Sequence, residues 1–571
     1  MESTMRYKKL GEVLLANGTI TDEELQRALE LQKGTKQRLG TVLVENKIIT
    51  EDELLNALQL QLGLEYIDLS KVRIPIEMAQ YVSKNLATQY QIIPVKATND
   101  ELYLAMSDPM NFYAIEEARK SSRKKIVAMV ASPSSIERAI QTLYSNDGAA
   151  RAIEEMKRDA GNNDESPTTD SMFSGSQIDD ASESAPTIRL VNSIVERAVN
   201  EHASDIHIEP HEEELRVRMR IDGMMRDVLS IPRDIQSSVI SRIKILSGLD
   251  ISEKRIPQDG RFNVRVRDLE VDLRVSTLPT VYGEKIVARL LDKSGGNKNP
   301  ESVGLTGLDY EKYKALLRIS SGVLLIVGPT GSGKSTTMYC MINDLNTKEV
   351  NLVSLEDPVE YNVDGVNQVQ INEKTGMTFA AGLRAILRQD PDIIAVGEIR
   401  DGETAEIAMR SAITGHIVIS TIHTNDAVGT IERLQNLGIA SYMISGALKG
   451  VISQRLVRRI CPKCKTPYTP TDEEKLMLGV PAEENATFYR GAGCPECFNT
   501  GYRGRIAVFE ILTMTSKLRT LVEHDATRAE IEKELNSEES DFVSLHDNAL
   551  RLVREGITTS DEVFRVTNDE I

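Results

Sequence analysis

Hydrophobic residues recur at helical spacing through the first 61 residues of this 571-residue chain, and the pattern occurs twice. The stretches KKLGEVLLANGTITDEELQRALELQ (8–32) and QRLGTVLVENKIITEDELLNALQLQ (37–61) form a tandem repeat. Each copy predicts a short apolar helix, a turn and a second helix, and the second helix of copy one has Leu25 and Leu29 in its buried stripe. Thr21 and Glu24 have the capping-box spacing that starts a helix.

Residues 66–145 and 187–295 mix helical and strand patterns. In the first, YQIIPVKATNDELYLAMSDP predicts two strands joined by a turn at Asn99 and Asp100. In the second, GRFNVRVRDLEVDLRVSTLP alternates apolar and polar residues, as a half-buried sheet does. RVRMRIDG alternates in the same way, so three arginines are predicted on one side of a strand: Arg216, Arg218 and Arg220. The stretch 146–186, rich in Ser, Asp, Asn and Gly, is predicted to be a flexible linker.

From residue 323 onward the chain contains four continuous apolar runs, as expected of strands buried in a parallel sheet. Polar residues stand beside the last three runs: Glu356, Asp357 and Glu360; Gly397 and Glu398; His416 and His423. In an open parallel sheet, ligands bind at the carboxyl ends of the strands. We therefore expect these side chains to converge at one edge of the sheet.

The first apolar run leads into a turn with the pattern Gly-x4-Gly-Lys-Ser. Such a turn lets backbone N–H groups face a phosphate, while Lys334 reaches the β and γ phosphates and Ser335 holds Mg²⁺. The helix predicted near Ser335 adds its N-terminal dipole. The residues predicted to bind ATP are Gly328, Pro329, Thr330, Gly331, Ser332, Gly333, Lys334, Ser335 and Thr336.

Hydrolysis of the bound nucleotide requires a base or a group that positions water, and Mg²⁺ prefers carboxylate ligands. Glu360 and Glu398 are the candidates, although a single carboxylate is as readily a solvated loop residue. His416 and His423 either sense the γ-phosphate or belong to the core, and their pairing favours the first interpretation.

Arginines complete the candidate site. Arg384 and Arg388 are four residues apart, on one face of a predicted helix, and the strand 216–220 adds three more. One interpretation is a solvated basic face. The other is stabilisation of the transferring phosphoryl group across a domain or subunit boundary.

Four of the five cysteines form two Cys-x2-Cys pairs: Cys461, Cys464, Cys494 and Cys497. In a reducing compartment such pairs are metal ligands more often than disulfides, and four thiolates are the set that a structural Zn²⁺ requires. The fifth cysteine, Cys340, is predicted to be a small core residue.

Composition restricts the class of protein. The net charge of −18 has the wrong sign for a protein whose main partner is nucleic acid, which argues against a helicase or a DNA-packaging motor. No apolar run approaches 18 residues and the N-terminus has no apolar signal region, so a cytosolic protein is expected. A regulator with an inactive ATPase site would need a damaged motif, and the sequence has none.

Seven motifs together resemble the secretion ATPase superfamily, which includes type II secretion (GspE-like) and type IV pilus assembly (PilB-like) ATPases. In order they are ASDIHIEP, RMRIDG, PQDGR, GPTGSGKST, LEDPVEY, DPDIIAVGEIRD and TGHIVISTIHTNDA, within residues 187–565. By this resemblance Glu360 ends an aspartate box, Glu398 ends the Walker B strand, and the two histidines form a histidine box. The five arginines are the family's γ-phosphate candidates.

The resemblance implies a multidomain α/β protein that hydrolyses ATP as a hexamer. It has an N-terminal regulatory domain with helical and α/β parts (1–145), the linker (146–186) and an arginine-rich, PAS-like α/β domain (187–300). A RecA-like P-loop domain (301–460), a tetracysteine zinc module (461–505) and a C-terminal helical region (506–571) follow.

The same resemblance implies a partner and a direction of work. Retraction ATPases of the superfamily look shorter at the N-terminus and lack the paired cysteines, so assembly or export is favoured here. The expected partner is an inner-membrane platform protein that feeds pilin subunits into a fibre, with the ATPase peripheral to the inner face of the membrane. Pilus assembly is preferred, and type II secretion is the alternative.

The tandem repeat resembles the MshEN-like domain that binds cyclic di-GMP in pilus and secretion ATPases. The positions carried over are Lys9, Leu10, Gly11, Leu14, Gly18 and Gln32 in the first copy and Arg38, Leu39, Gly40, Leu43 and Gln61 in the second, with Asp108 as an added contact. Lys9 replaces the first arginine and Lys47 the second inner glycine. The alternative is that the repeat is a helical scaffold or docks a partner.

Overall fold

The computed structural model describes residues 10–33, 39–46, 48–49, 57, 60, 64–69, 72, 74–133, 135–140, 143–144, 152–153, 156, 186–266, 269–292 and 299–567. Most of the predicted linker lies outside these residues. Two compact units divide the chain: one takes the described residues up to Phe262 together with Leu273–Leu290, and the other takes Asn263–Asp272 and the residues from Leu291 onward. The mixed α/β class predicted from the sequence is confirmed.

Three short helices open the first unit: α1 (Leu10–Ala16), α2 (Asp22–Lys33) and α3 (Leu39–Glu45). The predicted capping box is present, because the Glu24 N–H donates to Thr21 Oγ1 at 3.3 Å and the Thr21 N–H donates to Glu24 Oε2 at 2.8 Å. The prediction for Leu29 is wrong: its side chain is 41% exposed, and the buried stripe of α2 passes through Ala28 instead.

A three-stranded sheet follows, with strands β1 (Ile92–Ala97), β2 (Glu101–Met106) and β3 (Lys125–Val130). β1 and β2 are antiparallel, which confirms the predicted turn, and β3 pairs in parallel with β2. The helices beside this sheet are α4 (Lys84–Tyr90) and α5 (Phe112–Ser122), and a 3-10 helix lies at Ile76–Gln80. The buried sides of these elements form one apolar core.

The second sheet of the first unit has six strands in the order β6-β5-β4-β9-β8-β7. In chain order they are β4 (Ala203–Pro210), β5 (Glu214–Ile221), β6 (Met224–Pro232), β7 (Gln258–Val266), β8 (Leu269–Thr280) and β9 (Gly283–Asp292). Helices α6 (Pro186–Asn200) and α7 (Gln236–Leu246) belong to the same unit, with a 3-10 turn at Arg233–Ile235. Along β5 buried and half-buried residues alternate without interruption, which confirms that the three arginines share one side of the strand.

The second unit is built on a seven-stranded sheet in the order β12-β11-β13-β14-β10-β15-β18. Its strands are β10 (Gly322–Val327), β11 (Leu352–Glu356), β12 (Asn367–Gln370), β13 (Ile393–Val396), β14 (Ile417–Ile422), β15 (Leu448–Ile460) and β18 (Tyr502–Thr513). All neighbours are parallel except β15 and β18. The four predicted apolar strands are present, and β10 is buried along its whole length.

In the described part of the chain, twelve helices belong to the second unit. They are α8 (Pro300–Val303), α9 (Gly307–Leu317), α10 (Lys334–Leu345), α11 (Phe379–Ile386), α12 (Gly402–Ile413), α13 (Ala427–Asn436), α14 (Ser441–Ala447), α15 (Asp472–Met477), α16 (Ser516–Glu523), α17 (Arg528–Leu535), α18 (Leu545–Arg554) and α19 (Ser560–Thr567), with 3-10 turns at Glu373–Thr375 and Pro495–Cys497. Of the helices in the described ranges, none combines the length and hydrophobicity of a membrane span.

The last strand corrects the predicted boundary of the C-terminal region. Residues 506–513, expected to be part of a helical tail, lie in β18 and pair with β15 from Gly450↔Thr513 to Ile460↔Tyr502. Between these two strands the chain makes the small hairpin of β16 (Lys465–Tyr468) and β17 (Phe488–Gly491). The tetracysteine region therefore lies at the tip of a long antiparallel pair of strands.

Candidate functional site

The glycine-rich turn joins the end of β10 to the start of α10. Gly333 is the N-cap of α10 at φ +90°, a left-handed backbone conformation that glycine adopts at little cost. Lys334 is 9% exposed, and its Nζ donates to the carbonyl oxygens of Gly328 at 2.8 Å and Pro329 at 3.1 Å. The amine thus reaches back across the turn.

Burial lowers the pKa of Lys334 to about 8, although the negative charge of Glu398 acts in the opposite direction. Arg455 on β15, itself only 6% exposed, lowers the pKa further. An anion entering the turn would raise this pKa, because a nearby opposite charge favours the charged form of the lysine.

Gln454, also on β15, fixes the shape of the turn and was missed by the sequence analysis. Its Nε2 donates to the carbonyl oxygen of Ser332 at 2.8 Å, and its Oε1 accepts from Thr337 Oγ1 at 2.7 Å. A side chain on Gly328 would have its Cβ 2.4 Å from the Gln454 carbonyl oxygen, so the turn and β15 are in close contact.

Glu398 lies two residues after the end of β13 and faces the same edge of the sheet. Its Oε2 is 3.5 Å from His423 Nε2, and the other nitrogen of that ring is 3.5 Å from Lys334 Nζ. Arg400 contacts Glu398 and lies 3.7 Å from Asp357 Oδ2. Three of the predicted residues therefore meet at the turn, together with an arginine that the sequence analysis did not single out.

The backbone between Gly397 and Ile399 is held by β14. Thr421 Oγ1 donates to the Gly397 carbonyl oxygen at 2.7 Å, and the Ile399 N–H donates to the Thr421 carbonyl oxygen at 2.9 Å. Both neighbours of Glu398 are therefore fixed to an adjacent strand, which holds the backbone of Glu398 at the edge of the sheet.

His416 does not reach this edge, and the expectation that both histidines converge is wrong. β14 runs from Ile417 to Ile422, so His416 precedes the strand and His423 follows it, roughly 23 Å apart at ~3.3 Å per residue. His416 Nδ1 is 2.9 Å from the Ser411 carbonyl oxygen, and its own carbonyl accepts from the Gly322 N–H. It therefore stands at the start of β10, whereas the turn follows the end of β10.

The aspartate-box strand, β11, is tied to α10 by a buried tyrosine. Tyr339 donates to Glu356 and accepts from the N–H groups of Glu360 and Tyr361, both at 3.2 Å. Glu356 also accepts from Ser354 Oγ at 2.6 Å, so this carboxylate has a structural role. The segment that contains Glu360, including the cis peptide Asp357–Pro358, is thereby linked to the helix that follows the turn.

Arg384 and Arg388 lie on the exposed side of the second unit. Arg384 pairs with Glu403 at the start of α12, and Arg388 Nη1 donates to the Arg384 carbonyl oxygen at 2.8 Å. The Arg384 side chain is 52% exposed. The contacts of this pair are thus with its own surface and not with the turn.

In the first unit, each arginine of β5 has a carboxylate partner. Arg216 pairs with Glu214, and Arg220 Nε is 3.6 Å from Asp205. Arg218 donates twice to Glu209, at 2.8 and 3.0 Å.

Glu209 also contacts Lys285, at 2.9 Å. Burial would raise the pKa of Glu209, but hydrogen bonds from Arg218 and Lys285 prevail and lower it to about 2. The pairing of this carboxylate with Arg218 therefore persists at any ordinary pH.

The four paired cysteines form one cluster, whose sulfur atoms all lie within 4.8 Å of one another. Three measured Sγ–Sγ separations are 3.6 to 3.8 Å. Thiolates placed tetrahedrally at ~2.3 Å from zinc are ~3.8 Å apart, so the cluster has the size of a zinc site. The N–H groups of Cys494 and Gly501 also donate to Cys497 Sγ, as expected of a thiolate ligand.

The carried-over residues of the tandem repeat are only partly described. Lys9, Arg38 and Gln61 lie outside the described residues, whereas Leu10, Gly11, Leu14, Gly18, Gln32, Leu39, Gly40, Leu43 and Asp108 lie within them. Gly11 has a packing role, because a Cβ there would be 2.9 Å from Leu25 Cδ1. Asp108 Oδ1 accepts from the Met110 N–H at 3.2 Å in a turn after β2.

Two family profiles match the chain. The profile described as Type II/IV secretion system protein matches residues 180–565, and that of the MshEN domain matches residues 62–150. The second match begins after the tandem repeat. The repeat that suggested cyclic di-GMP binding is therefore outside the matched range.

Curated relatives and a solved structure agree with the first profile. The type IV pilus assembly ATPase PilB of Myxococcus xanthus is 40% identical over 97% of this chain and 98% of its own length. The type II secretion system protein E of Pseudomonas aeruginosa is 42% identical over 82% of this chain and 93% of its own length. The X-ray structure of the ATPase DotB of Legionella pneumophila has a TM-score of 0.50 at 20% identity and covers 66% of this chain and 95% of that one, which shows a shared fold.

The sequence profile and the extent of both curated likenesses settle the family. The chain belongs to the Type II/IV secretion system protein family and is an ATPase.

Proposed function

We propose that this chain is a motor ATPase that hydrolyses ATP to drive assembly of a type IV pilus. The observation that carries the proposal is the extent of the likeness to PilB of Myxococcus xanthus, which spans 97% of this chain, whereas the secretion relative from Pseudomonas spans 82%. The motor works on an inner-membrane platform protein at the inner face of the membrane.

In the proposed reaction, the turn and Lys334 hold the phosphates, and Ser335 holds the magnesium ion. The ion supplies charge neutralisation at the phosphate oxygens. Glu398 orients the attacking water and accepts its proton, since its carboxylate is fixed beside the turn at 3.5 Å from His423. Glu360, tied to α10 through Tyr339, is the second carboxylate candidate.

The proposed working form is a homohexamer, in which arginine side chains stabilise the phosphoryl group being transferred. Arg216, Arg218 and Arg220 are the candidates for this role, because they share one side of β5 and are 34–41% exposed. Arg384, Arg388 and His416 remain family-based candidates, although none contacts the turn within the described residues of one chain.

The experiment is a strain with the gene deleted and then complemented. Wild type and Glu406→Gln, an exposed control on α12, should restore surface pili seen by electron microscopy, and Glu398→Gln should not. Protein export should be unchanged throughout. Loss of export with intact pili would instead support the alternative, a type II secretion motor, and unchanged pili and export would refute both.

A structural zinc ion in the tetracysteine cluster is part of the proposal. The four thiolates would hold it closed to substrate, since all four tetrahedral positions are filled by protein. Elemental analysis of protein purified without chelator should give about one zinc per chain, a number that follows from a single four-thiolate site. Cys497→Ser should lower it, and Cys340→Ser, in the core of α10, should not.

Cyclic di-GMP is the proposed regulator, supported by the repeat's resemblance and by the MshEN match over residues 62–150. Calorimetry on the full chain should show micromolar or tighter binding, lost in Arg38→Ala and retained in Arg27→Ala, an exposed arginine of α2. Absence of heat with folded protein would leave the repeat as a scaffold.

A further inference from the structure

We infer that Gln454 is a positioning residue of the nucleotide site, which sets the direction of a phosphate-binding N–H group without touching the nucleotide itself. The inference rests on the proposed role of the glycine-rich turn in binding phosphate. It assigns a function to a strand, β15, that lies outside every motif of the sequence analysis.

The contact that matters is between the Gln454 side chain and the turn. Its Nε2 donates to the Ser332 carbonyl oxygen at 2.8 Å, and a carbonyl accepts only from the NH₂ side of the amide. Its Oε1 therefore faces Thr337 Oγ1, which donates at 2.7 Å. Two partners on opposite sides of the amide leave it a single orientation.

This hydrogen bond determines where the next N–H points. In a trans peptide, the carbonyl of one residue and the N–H of the following residue point in opposite directions. With the Ser332 carbonyl held toward β15, the Gly333 N–H is directed away from β15 and into the turn. The same N–H lies at the start of α10, where the helix dipole attracts an anion.

The packing around Gln454 supports a fixed position. Gln454 is 1% exposed, and Thr337 is completely buried. A Cβ on Gly333 would lie 2.7 Å from Gln454 Nε2, and one on Gly328 would lie 2.4 Å from the Gln454 carbonyl oxygen. Two glycines of the turn are therefore required for the contact with Gln454, in addition to any requirement imposed by a phosphate.

The test is steady-state ATP hydrolysis by the full-length, metal-loaded protein with Gln454→Met, which keeps the length of the side chain and removes the donor. If this N–H loses its direction, binding of the ground state and binding of the transition state are weakened alike. KM for ATP should therefore rise about tenfold, with kcat within about twofold of wild type. Gln454→Glu places a carboxylate against the Ser332 carbonyl and should raise KM further.

Thermal unfolding measured without nucleotide shows whether the variant is folded. A partly unfolded preparation has a lower kcat and an unchanged KM, so it differs from a variant that has lost the positioning of the N–H group. A wild-type KM in Gln454→Met, or a fall in kcat alone, would overturn the inference. Lys334→Ala tests the assignment of the turn as the nucleotide site: if this variant binds ATP like wild type, the turn is not that site. If only Lys334→Ala loses binding, the site stands and Gln454 does not position it.

Discussion

The glycine-rich turn and the arginine strand β5 hold their cations in opposite ways. Lys334 donates to two carbonyl oxygens of its own turn, which are neutral. On β5, Arg216, Arg218 and Arg220 each face a carboxylate, and Glu209 binds Arg218 through two hydrogen bonds. An anion entering the turn displaces neutral groups, whereas an anion approaching β5 must compete with a charge already in place.

Under the proposed function, this difference predicts two kinds of contribution to one reaction. In the proposed reaction the turn would bind phosphate within a single chain, since its lysine gains a charged partner and loses none. In the proposed reaction, the arginines of β5 would become available only when a phosphate of higher charge replaced their carboxylates. We therefore expect binding of the nucleotide to depend on the turn, and the rate of hydrolysis to depend on both regions.

The largest expected effect is that of removing the cation of the turn. Lys334→Ala should weaken ATP binding by about a hundredfold and reduce turnover by about a thousandfold, because a charged contact to the phosphates is lost. Titration with a fluorescent ATP analogue and a phosphate-release assay measure the two effects. Lys314→Ala, a half-exposed lysine of the same unit, should behave like wild type.

The next largest effect is expected from removing Arg218, which donates to both carboxylate oxygens of Glu209. The double variant Arg218→Ala with Glu209→Gln leaves no uncompensated buried carboxylate. It should lower kcat by about a hundredfold, the effect of losing an arginine from a phosphoryl-transfer site, and leave the Kd for ATP within about twofold. The control is Arg255→Ala, which removes a largely exposed arginine of the first unit.

A parallel loss of affinity in that double variant would contradict the separation of binding from turnover. Unchanged kcat, with Lys334→Ala inactive, would show that β5 is a solvated basic face, the alternative that the sequence left open.

The carboxylate partners make the first unit sensitive to acid. The pKa of Glu209 is lowered to about 2 in the folded protein, from 4.5 when unfolded, so its contribution to stability is present above pH 4.5 and is lost as pH falls toward 2. The free energy of unfolding should drop by about 2 kcal/mol more in wild type than in Glu209→Gln between pH 5 and pH 3. Urea denaturation at several pH values measures this, and equal slopes in both proteins would count against the pairing.

The smallest expected effect is a loss of ATP affinity at alkaline pH, caused by deprotonation of Lys334 in the turn. The pKa of Lys334 is about 8 without nucleotide, and bound phosphate raises it, so affinity falls as pH rises above 8. The Kd for ATP should increase about tenfold between pH 7 and pH 9. Calorimetry in buffers of different ionisation enthalpy should detect proton uptake on binding at pH 8.5, and Lys334→Arg should abolish it, since arginine stays charged.

The sequence predicted the elements whose signal is local. The apolar runs became β10, β11, β13 and β14, and the alternation of RVRMRI became the one-sided row of arginines on β5. Glu398 and His423 were placed at the turn because each follows a buried strand.

What the sequence could not show depends on partners that are far away in the chain. Gln454 is a polar residue in a strand, and its significance comes from Ser332 and Thr337, more than a hundred residues earlier. His416 stands beside the same apolar run as His423, and only the direction of β14 separates their positions. The carboxylates that neutralise β5 come largely from the neighbouring strand β4, whose register is a tertiary property.

The long pair of strands β15 and β18 has a consequence for how such chains diversify. The pairing of the two strands ends where the Cys461 N–H donates to the Gly501 carbonyl oxygen. The residues between Cys461 and Gly501 therefore form a long loop that leaves the strand pair and returns to it at one point. A loop that leaves and returns at one point can be inserted or deleted without changing the register of the sheet. In the proposed zinc-bound form, the tetracysteine cluster would offset the entropy of closing this long loop.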